Sequence, residues 1–121
     1  MKIAVIADVH ANLVALQTVV ADVEAWRPDR VIVLGDLVNR GPRPAECLAL
    51  VQEQVDHRGW LWVRGNHEEY VILNAEPGRP RSGPQFEVHR PCFWTYLRLG
   101  RDVSPLQNMP LNLQLADPAG G

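Results

Sequence analysis

The chain has few cysteines, and their positions argue against two common uses of this residue. Cys47 and Cys92 are the only two in 121 residues, they lie far apart, and no C-x-x-C pair occurs. A zinc knuckle or a disulfide framework is therefore not indicated. Scattered thiols of this kind suit a reducing compartment, so we expect a cytoplasmic protein.

An excess of charge of one sign is also absent. The chain has 12 Lys and Arg residues against 14 Asp and Glu residues, which gives a formal net charge of −2. Proteins that bind nucleic acids or membrane surfaces usually carry a surplus of basic side chains. We therefore expect neither nucleic acid nor a membrane as a partner, and instead a small, local ligand.

Long apolar runs and the common phosphate-binding motifs are missing as well. The opening MKIAVIADVH has an apolar run of only five residues before Asp8, too short for a signal peptide or a membrane span. Neither G-x-G-x-x-G nor G-x-x-x-x-G-K-[ST] follows that run, which argues against a nucleotide-binding α/β domain. The beginning of the chain is thus expected to be a strand of a soluble protein.

The apolar residues that are present predict one α/β domain. With 46% hydrophobic residues, a chain of this length can form one modest core. Continuous apolar runs at 2–7, 31–34 and 60–63 are typical of parallel strands covered on both faces. Helical spacing at 13–23 and a first-turn proline at 44–55 predict the helices between them. The predicted order is β-α-β-α-β.

The remaining residues predict a second, less regular part. A helix is expected at 67–73, a loop rich in Pro, Gly and Arg at 74–84, and a single helix at 86–99. A short helix at Ser104 and a final strand at 111–115 follow. Arg79 and Arg81 in the loop could meet an anionic substrate or simply be solvated.

Each of the three predicted strands ends in polar residues. The first leads to Asp8 and His10, which share one side if strand geometry continues, the second to Gly35-Asp36, and the third to Gly65-Asn66-His67-Glu68. Strand ends of a parallel sheet meet at one edge, where ligands bind. Carboxylate and imidazole together suit Mn, Fe, Zn or Co better than Ca. Any one of these ends could be a simple turn, but three in this order predict a metal site.

These motifs resemble the first three motifs of the calcineurin-like metallophosphoesterases. The similarity runs in register over residues 1–73 and is looser afterwards. The loop GDLVNRGP is similar to that of the branch with bacterial serine/threonine phosphatases and dinucleoside polyphosphate hydrolases, and the chain also resembles small bacterial phosphoesterases of unassigned substrate. The resemblance implies the start of a two-sheet sandwich, truncated before the C-terminal sheet strands.

The resemblance further implies two divalent metal ions and hydrolysis of a phosphate ester by a metal-activated water. Asp8, His10 and Asp36 would hold the first ion, and Asp36 would bridge to a second ion bound also by Asn66. The substrate would be a small phosphorylated compound. Monoesters, diesters, phosphoproteins and dinucleotides all remain open.

Three further residues receive roles from the same resemblance. His67 would act as general acid or electrostatic stabiliser at the leaving oxygen, and Arg40 would hold phosphate oxygens. Asn39 would support His67, at a position where the phosphoprotein phosphatases typically have Asp. Its amide oxygen could orient the His67 ring but supplies no charge, so His67 should titrate lower than it would beside a carboxylate.

The two later histidine motifs of the family are not found in the chain. His57 is expected at the surface on the opposite rim, and His89 could be a stand-in ligand or, more simply, a surface or capping residue. The second metal site should therefore be weak. We expect one incomplete phosphoesterase domain over 1–121, made of a motif-bearing core at 1–73, a loop at 74–84, and a helical segment with a final strand at 85–121.

The missing motifs leave two questions open, namely whether the chain is catalytic and what covers its sheet. The chain could be a phosphoesterase, or a non-catalytic metal-binding or assembly module derived from that scaffold. Strands that are apolar on both faces would leave a sheet surface uncovered. A homo-oligomer or a missing C-terminal half could cover it.

Overall fold

The computed structural model describes residues 1–116 and has a three-stranded parallel sheet in the order β1-β2-β3. The strands are β1 (Ile3–Ile6), β2 (Arg30–Val33) and β3 (Leu61–Trp62). The long helices α1 (Leu13–Trp26) and α2 (Pro44–Arg58) connect them. The predicted β-α-β-α-β order is confirmed, with strands shorter than the apolar runs. Each strand stops where its polar loop begins.

The helices after β3 are short. α3 (Asn66–Ile72) continues into a 3₁₀ turn (Leu73–Ala75), and after the 74–84 loop come α4 (Pro84–Val88), α5 (Arg90–Arg98) and α6 (Ser104–Gln107). The prediction of a single helix at 86–99 is wrong, because the chain bends at His89, whose φ is −101° and ψ 13°. Pro91 stands in the first turn of α5, where it needs no hydrogen-bond donor, but it could not continue a helix from α4.

The predicted final strand at 111–115 is also wrong. Those residues form no strand, and Leu111 and Leu115 are exposed. Just before this segment, the Pro110 carbonyl accepts from the Arg64 N–H over 2.7 Å, beyond the end of β3. Pro110 has no N–H to return a second ladder bond, so pairing cannot begin there.

The core lies on one face of the sheet. Ile6, Val33 and Trp62 form one row across the three strands, and they belong to the same buried cluster as Leu16 of α1 and Val51 of α2. Side chains alternate between faces along a strand, so the neighbouring residues point the other way.

The opposite face of the sheet is open within the described residues. Val5, Ile32 and Leu61 lie side by side across the strands, and Val5 is 57% exposed and Leu34 48% exposed. The expectation of strands covered on both faces therefore fails for this face, whereas the expected uncovered surface is present. Among residues 1–116, no helix combines the length and apolarity that crossing a membrane requires.

Candidate metal centre

The polar ends of β1 and β2 are joined directly by backbone hydrogen bonds. The His10 N–H donates to the Asp36 carbonyl over 2.9 Å, and the Ala11 N–H donates to the Leu37 carbonyl over 2.7 Å. The α3 N-terminus joins them, because the His67 N–H donates to Asp36 Oδ1 over 3.0 Å. The three predicted strand ends thus meet at one edge of the sheet.

Asp8, His10 and Asp36 bring their donor atoms together at this edge. One ligand atom from each lies within 4.8 Å of the others, and His10 Nε2 is 3.8 Å from Asp8 Oδ1. His10 Nδ1 lies 3.1 Å from the Val38 carbonyl, an acceptor that requires the ring proton on Nδ1. That bond leaves the Nε2 lone pair for a cation, in the arrangement usual for histidine ligands.

The convergence depends on an unusual backbone. β1 has ended before Asp8, so the expectation that Asp8 and His10 share one side of a continuing strand is wrong. Instead, six non-glycine residues of these two loops have left-handed φ values: Asp8 (58°), His10 (48°), Ala11 (59°), Asp36 (54°), Asn39 (69°) and Arg40 (70°). Such values cost energy and concentrate at functional sites.

Two glycines allow the loops of β2 and β3 to touch. A Cβ on Gly35 would overlap the backbone nitrogen of Gly65, and a Cβ on Gly65 would overlap Oδ1 of Asp36. Gly35 also has a φ of 87°, which glycine adopts without strain. The position of the Asp36 carboxylate therefore depends on the absence of side chains at both sites.

Glu68 joins the same two loops through its buried carboxylate. Its carboxylate is fully buried and accepts the backbone N–H groups of Asp36 (2.7 Å), Leu37 (2.9 Å) and Gly65 (2.8 Å). Burial raises the pKa of the Glu68 carboxyl, while the three N–H donors lower it. Glu68 thus positions Asp36 without facing the site.

Asn39 contacts His67 through the amide nitrogen, whereas the sequence predicted the amide oxygen. Asn39 Nδ2 lies 3.1 Å from His67 Nδ1 and donates to the His67 carbonyl over 3.3 Å. On the other side, Thr95 Oγ1 donates to Asn39 Oδ1 over 2.7 Å. Because the His67 backbone carbonyl can only accept, the Asn39 amide is oriented with its nitrogen toward His67.

A donor opposite Nδ1 favours the neutral His67 ring with its proton on Nε2. Burial lowers the pKa of His67, and Asp36 opposes that effect. The charges of His10 and Arg40 lower it further. None of these causes involves Asn39, so the lower titration expected relative to a carboxylate at position 39 stays a prediction.

The remaining predicted residues lie around this cluster. Asn66 is exposed and its Nδ2 donates to the Tyr70 hydroxyl over 3.4 Å, so its oxygen is the atom suited to a cation. Arg40 is exposed beside His67. His57 is exposed near the end of α2, as predicted. His89 is exposed at the N-cap position of α5, where its side chain makes no capping hydrogen bond, and it is not part of the Asp8, His10 and Asp36 group.

Sequence reasoning missed the supporting residues Glu68, Thr95 and Tyr70. A signal existed for Glu68, because a glutamate three residues after a helix N-cap commonly accepts the N-cap N–H. Thr95 gave none, since it is 56 positions from Asn39. Tyr70 stacks edge-on against His67 at 5.5 Å, and as one helical residue among several it carried no signal either.

Comparison with known proteins identifies the family and the fold. The calcineurin-like phosphoesterase family matches residues 1–113. A metallophosphoesterase from Sphaerobacter thermophilus superposes with a TM-score of 0.69 at 36% identity, over 97% of this chain and 44% of that one. A hypothetical protein, PH1004, from Pyrococcus horikoshii has a TM-score of 0.71 at 18% identity, over 90% and 48%, and shows the fold alone.

Two curated relatives match shorter stretches. An uncharacterized protein of Methanocaldococcus jannaschii, MJ0912, is 39% identical over 74 residues, or 61% of this chain and 28% of the relative. The symmetrical bis(5'-nucleosyl)-tetraphosphatase of Dechloromonas aromatica is 42% identical over 50 residues, or 41% and 17%. The chain spans less than half the length of each relative. With the family match extending through nearly all of it, the chain belongs to the calcineurin-like phosphoesterases.

Proposed function

We propose that this chain carries the metal-binding part of a phosphoesterase that hydrolyses a small phosphate ester. The observation that supports this most is the convergence of Asp8, His10 and Asp36 from two separate loops to within 4.8 Å. Such mixed oxygen and nitrogen donors at the carboxyl edge of a parallel sheet are suited to a catalytic cation.

The donor set fits a divalent transition metal. Two carboxylates supply negative charge, and His10 offers Nε2 because Nδ1 is engaged by the Val38 carbonyl. Asp36 and the neutral Asn66 would hold a second ion more weakly. When bound, the ions would polarise the phosphoryl group and activate a water molecule for attack.

The chain's own side chains would bind the ester around these ions. The Arg40 guanidinium can bind two phosphate oxygens with its planar fork. His67 would present its Nε2–H to the leaving oxygen, because Asn39 donates toward Nδ1. This arrangement supports a hydrogen-bonding stabiliser over a general acid, since neutral imidazole is a poor acid.

The substrate class is a small phosphate ester. Dinucleoside polyphosphates, named for the Dechloromonas aromatica relative, are one candidate for a protein that includes this chain. A metal-binding or assembly module without turnover is the second candidate, because His, Cys, Asp and Glu side chains of the described residues form one possible ligand group, Asp8, His10 and Asp36.

The test compares Asp36→Asn with Asp22→Asn, a control on the exposed side of α1. Mn²⁺ binding is measured by calorimetry and hydrolysis with an aryl phosphate. We expect Asp36→Asn to weaken Mn²⁺ binding by at least about tenfold and to abolish any turnover, because one ligand charge is lost. Unchanged binding and turnover in Asp36→Asn would contradict the proposal. Metal binding without turnover in the wild type would favour the non-catalytic module.

A further inference from the structure

A cavity of about 460 Å³ opens beside the proposed metal centre, and its lining takes no part in the proposed metal binding or phosphate binding. It lies between α3, the 74–84 loop and α4, and its lining includes Tyr70, Leu73, Arg79, Phe86, Val88 and His89. The volume is in the range of small-molecule sites, which are usually apolar with a few polar groups.

Tyr70 forms the wall between the cavity and the metal centre. Its ring centroid is 5.5 Å from that of His67 on one side and 5.9 Å from that of His89 on the other. The His67 ring in turn lies 4.7 Å from the His10 ring. A group attached to a phosphate at Asp8, His10 and Asp36 would therefore reach the cavity by passing His67 and the Tyr70 ring.

The floor of the cavity is held in place by Arg81. Its guanidinium donates to Oδ1 and the carbonyl of Asn74 over 3.1 and 2.7 Å and lies 4.5 Å from the Phe93 ring centroid. Phe93 packs edge-on against Phe86 at 5.4 Å. Arg81 thus contacts protein groups, which is neither of the two roles that the sequence left open for it. These contacts hold this part of the cavity lining in place without a ligand.

The lining has the chemistry of a site for a flat ring. Tyr70, Phe86 and His89 supply aromatic faces and edges, which attract planar π systems more strongly than saturated rings of similar size. Arg79 adds a cation to the lining, 3.9 Å from Glu76. Guanidinium groups also stack on aromatic rings.

We propose that this cavity binds the leaving group of the phosphate ester and selects leaving groups that carry a planar aromatic ring, such as an aryl ring or a nucleobase, over saturated ones. The proposal rests on the function proposed above, because it takes the phosphate to lie at Asp8, His10 and Asp36. It adds the specificity-determining residues Tyr70 and Phe86, which contact the leaving group and not the phosphate.

Three phosphonates that cannot be hydrolysed at the ester position test this inference. Methylphosphonate, 1-decalinylmethylphosphonate and 1-naphthylmethylphosphonate are titrated into the Mn²⁺-loaded chain by calorimetry. We expect the naphthyl compound to bind at least about tenfold more tightly than methylphosphonate, and more tightly than the saturated decalinyl compound, which has the same number of ring carbons. Equal affinities for the naphthyl and decalinyl compounds would overturn the aromatic preference.

Matched variants locate the binding. Val88→Trp should fill the cavity, and Val14→Trp is its control on α1, since the two valines are 74% and 75% exposed. The naphthyl advantage should disappear in Val88→Trp and persist in Val14→Trp. Tyr70→Phe should keep that advantage, and Tyr70→Leu should lose most of it. An advantage that survives Val88→Trp would overturn the assignment of the cavity.

The same titrations separate this inference from the proposed function. If methylphosphonate binds and the naphthyl group adds nothing, the subsite is wrong and the metal centre stands. If methylphosphonate does not bind, the phosphate-binding role of the metal centre fails, and 2-naphthol without phosphonate then decides about the cavity. Its binding, lost in Val88→Trp, would support an aromatic site, and no binding of 2-naphthol would overturn it.

Discussion

At the scale of single residues, the environment of His67 depends on which atom of Asn39 faces it. The amide nitrogen faces His67 because the His67 backbone carbonyl, 3.3 Å away, can only accept a hydrogen bond. The amide oxygen then accepts from Thr95 on α5. An asparagine side chain can present either atom, so its identity alone did not decide this. The carbonyl that decided it lies on α3, 28 positions away.

Replacing Asn39 by Asp should raise the pKa of His67. Burial lowers the pKa of the wild-type ring, and a carboxylate at position 39 would stabilise the imidazolium form. NMR titration of the ring protons in the metal-free chain measures this, with exposed His57 as the internal reference. An unchanged His67 titration in Asn39→Asp would contradict the assigned contact.

The direction of this shift also predicts how stability depends on pH. The pKa of His67 in the folded chain lies below its ordinary value of 6.5, so the unfolded chain binds a proton on this ring more readily than the folded chain does. The contribution of His67 to stability is therefore present above pH 6.5 and is lost as the pH falls toward the folded pKa. Asn39→Asp should make that acid-side loss smaller in urea unfolding curves.

Glu68 supports the site through three backbone N–H groups, so Glu68→Gln should destabilise the fold. A glutamine has one acceptor oxygen, and its NH₂ group would face an N–H that has lost its partner. We expect a loss of about 2 kcal/mol in the free energy of unfolding, measured with urea. Glu53→Gln on the exposed side of α2 is the control, and equal losses in both variants would contradict this role.

At the scale of elements, the strand ends and helix starts pack so closely that side-chain volume at their junctions matters. Gly65 stands before α3 with a φ of −96°, a value that alanine accepts. A Cβ there would nevertheless overlap Asp36 Oδ1. Gly59 after α2 is the opposite case, with a φ of 71° and open space around it.

Gly65→Ala should therefore be more damaging than Gly59→Ala, although only Gly59 has a left-handed backbone. We expect a loss of about 3 kcal/mol for Gly65→Ala from overpacking and about 1 kcal/mol for Gly59→Ala from backbone strain. Only Gly65→Ala should also weaken Mn²⁺ binding, because it displaces Asp36. Greater damage by Gly59→Ala, or equal Mn²⁺ binding in both, would count against this close approach.

The two cysteines belong to the packing of these elements. Burial raises the pKa of the Cys47 thiol to about 11, and the charge of Glu46 adds to this effect. Burial raises the pKa of Cys92 as well. Both thiols are therefore neutral near pH 7 and act as small core residues.

At the scale of the whole molecule, the sheet buries one face and exposes the other. Val5, Ile32 and Leu61 form the open row, and Val5 and Leu34 are half exposed or nearly so. An apolar strip of this kind is costly in water and favours association. A second copy or a further part of a longer protein could cover it.

Self-association of the chain should depend on this open face. We expect Val5→Lys to reduce association in sedimentation velocity experiments at increasing concentration, because it places a charge at the exposed β1 end of the apolar row. Val14→Lys on α1 is the control, at a position 75% exposed. A wild type that stays monomeric throughout, or an equal effect of both variants, would show that the face does not mediate association.

The sequence by itself determined the order of strands and helices and the residues that reach the site. Apolar runs, a helical stripe and Pro44 are local patterns, and local patterns specify elements. Asp8, His10 and Asp36 could be predicted to meet because parallel strands end at one edge. The break at His89 and the absence of a strand at 111–115 were not predicted. Pro91 could not continue a helix from α4, and Pro110 has no N–H with which to begin a strand ladder.

Only the tertiary structure decided how the site residues are oriented and supported. Asp8 and His10 adopt left-handed conformations. The Glu68 carboxylate accepts the N–H groups of Asp36 and Leu37 from 32 and 31 positions away, and Thr95 contacts Asn39 across 56 positions. No short pattern encodes such pairs, because their energies arise only when distant loops are packed together. The cavity beside Tyr70 has the same origin, since its walls come from three segments that meet only in the folded chain.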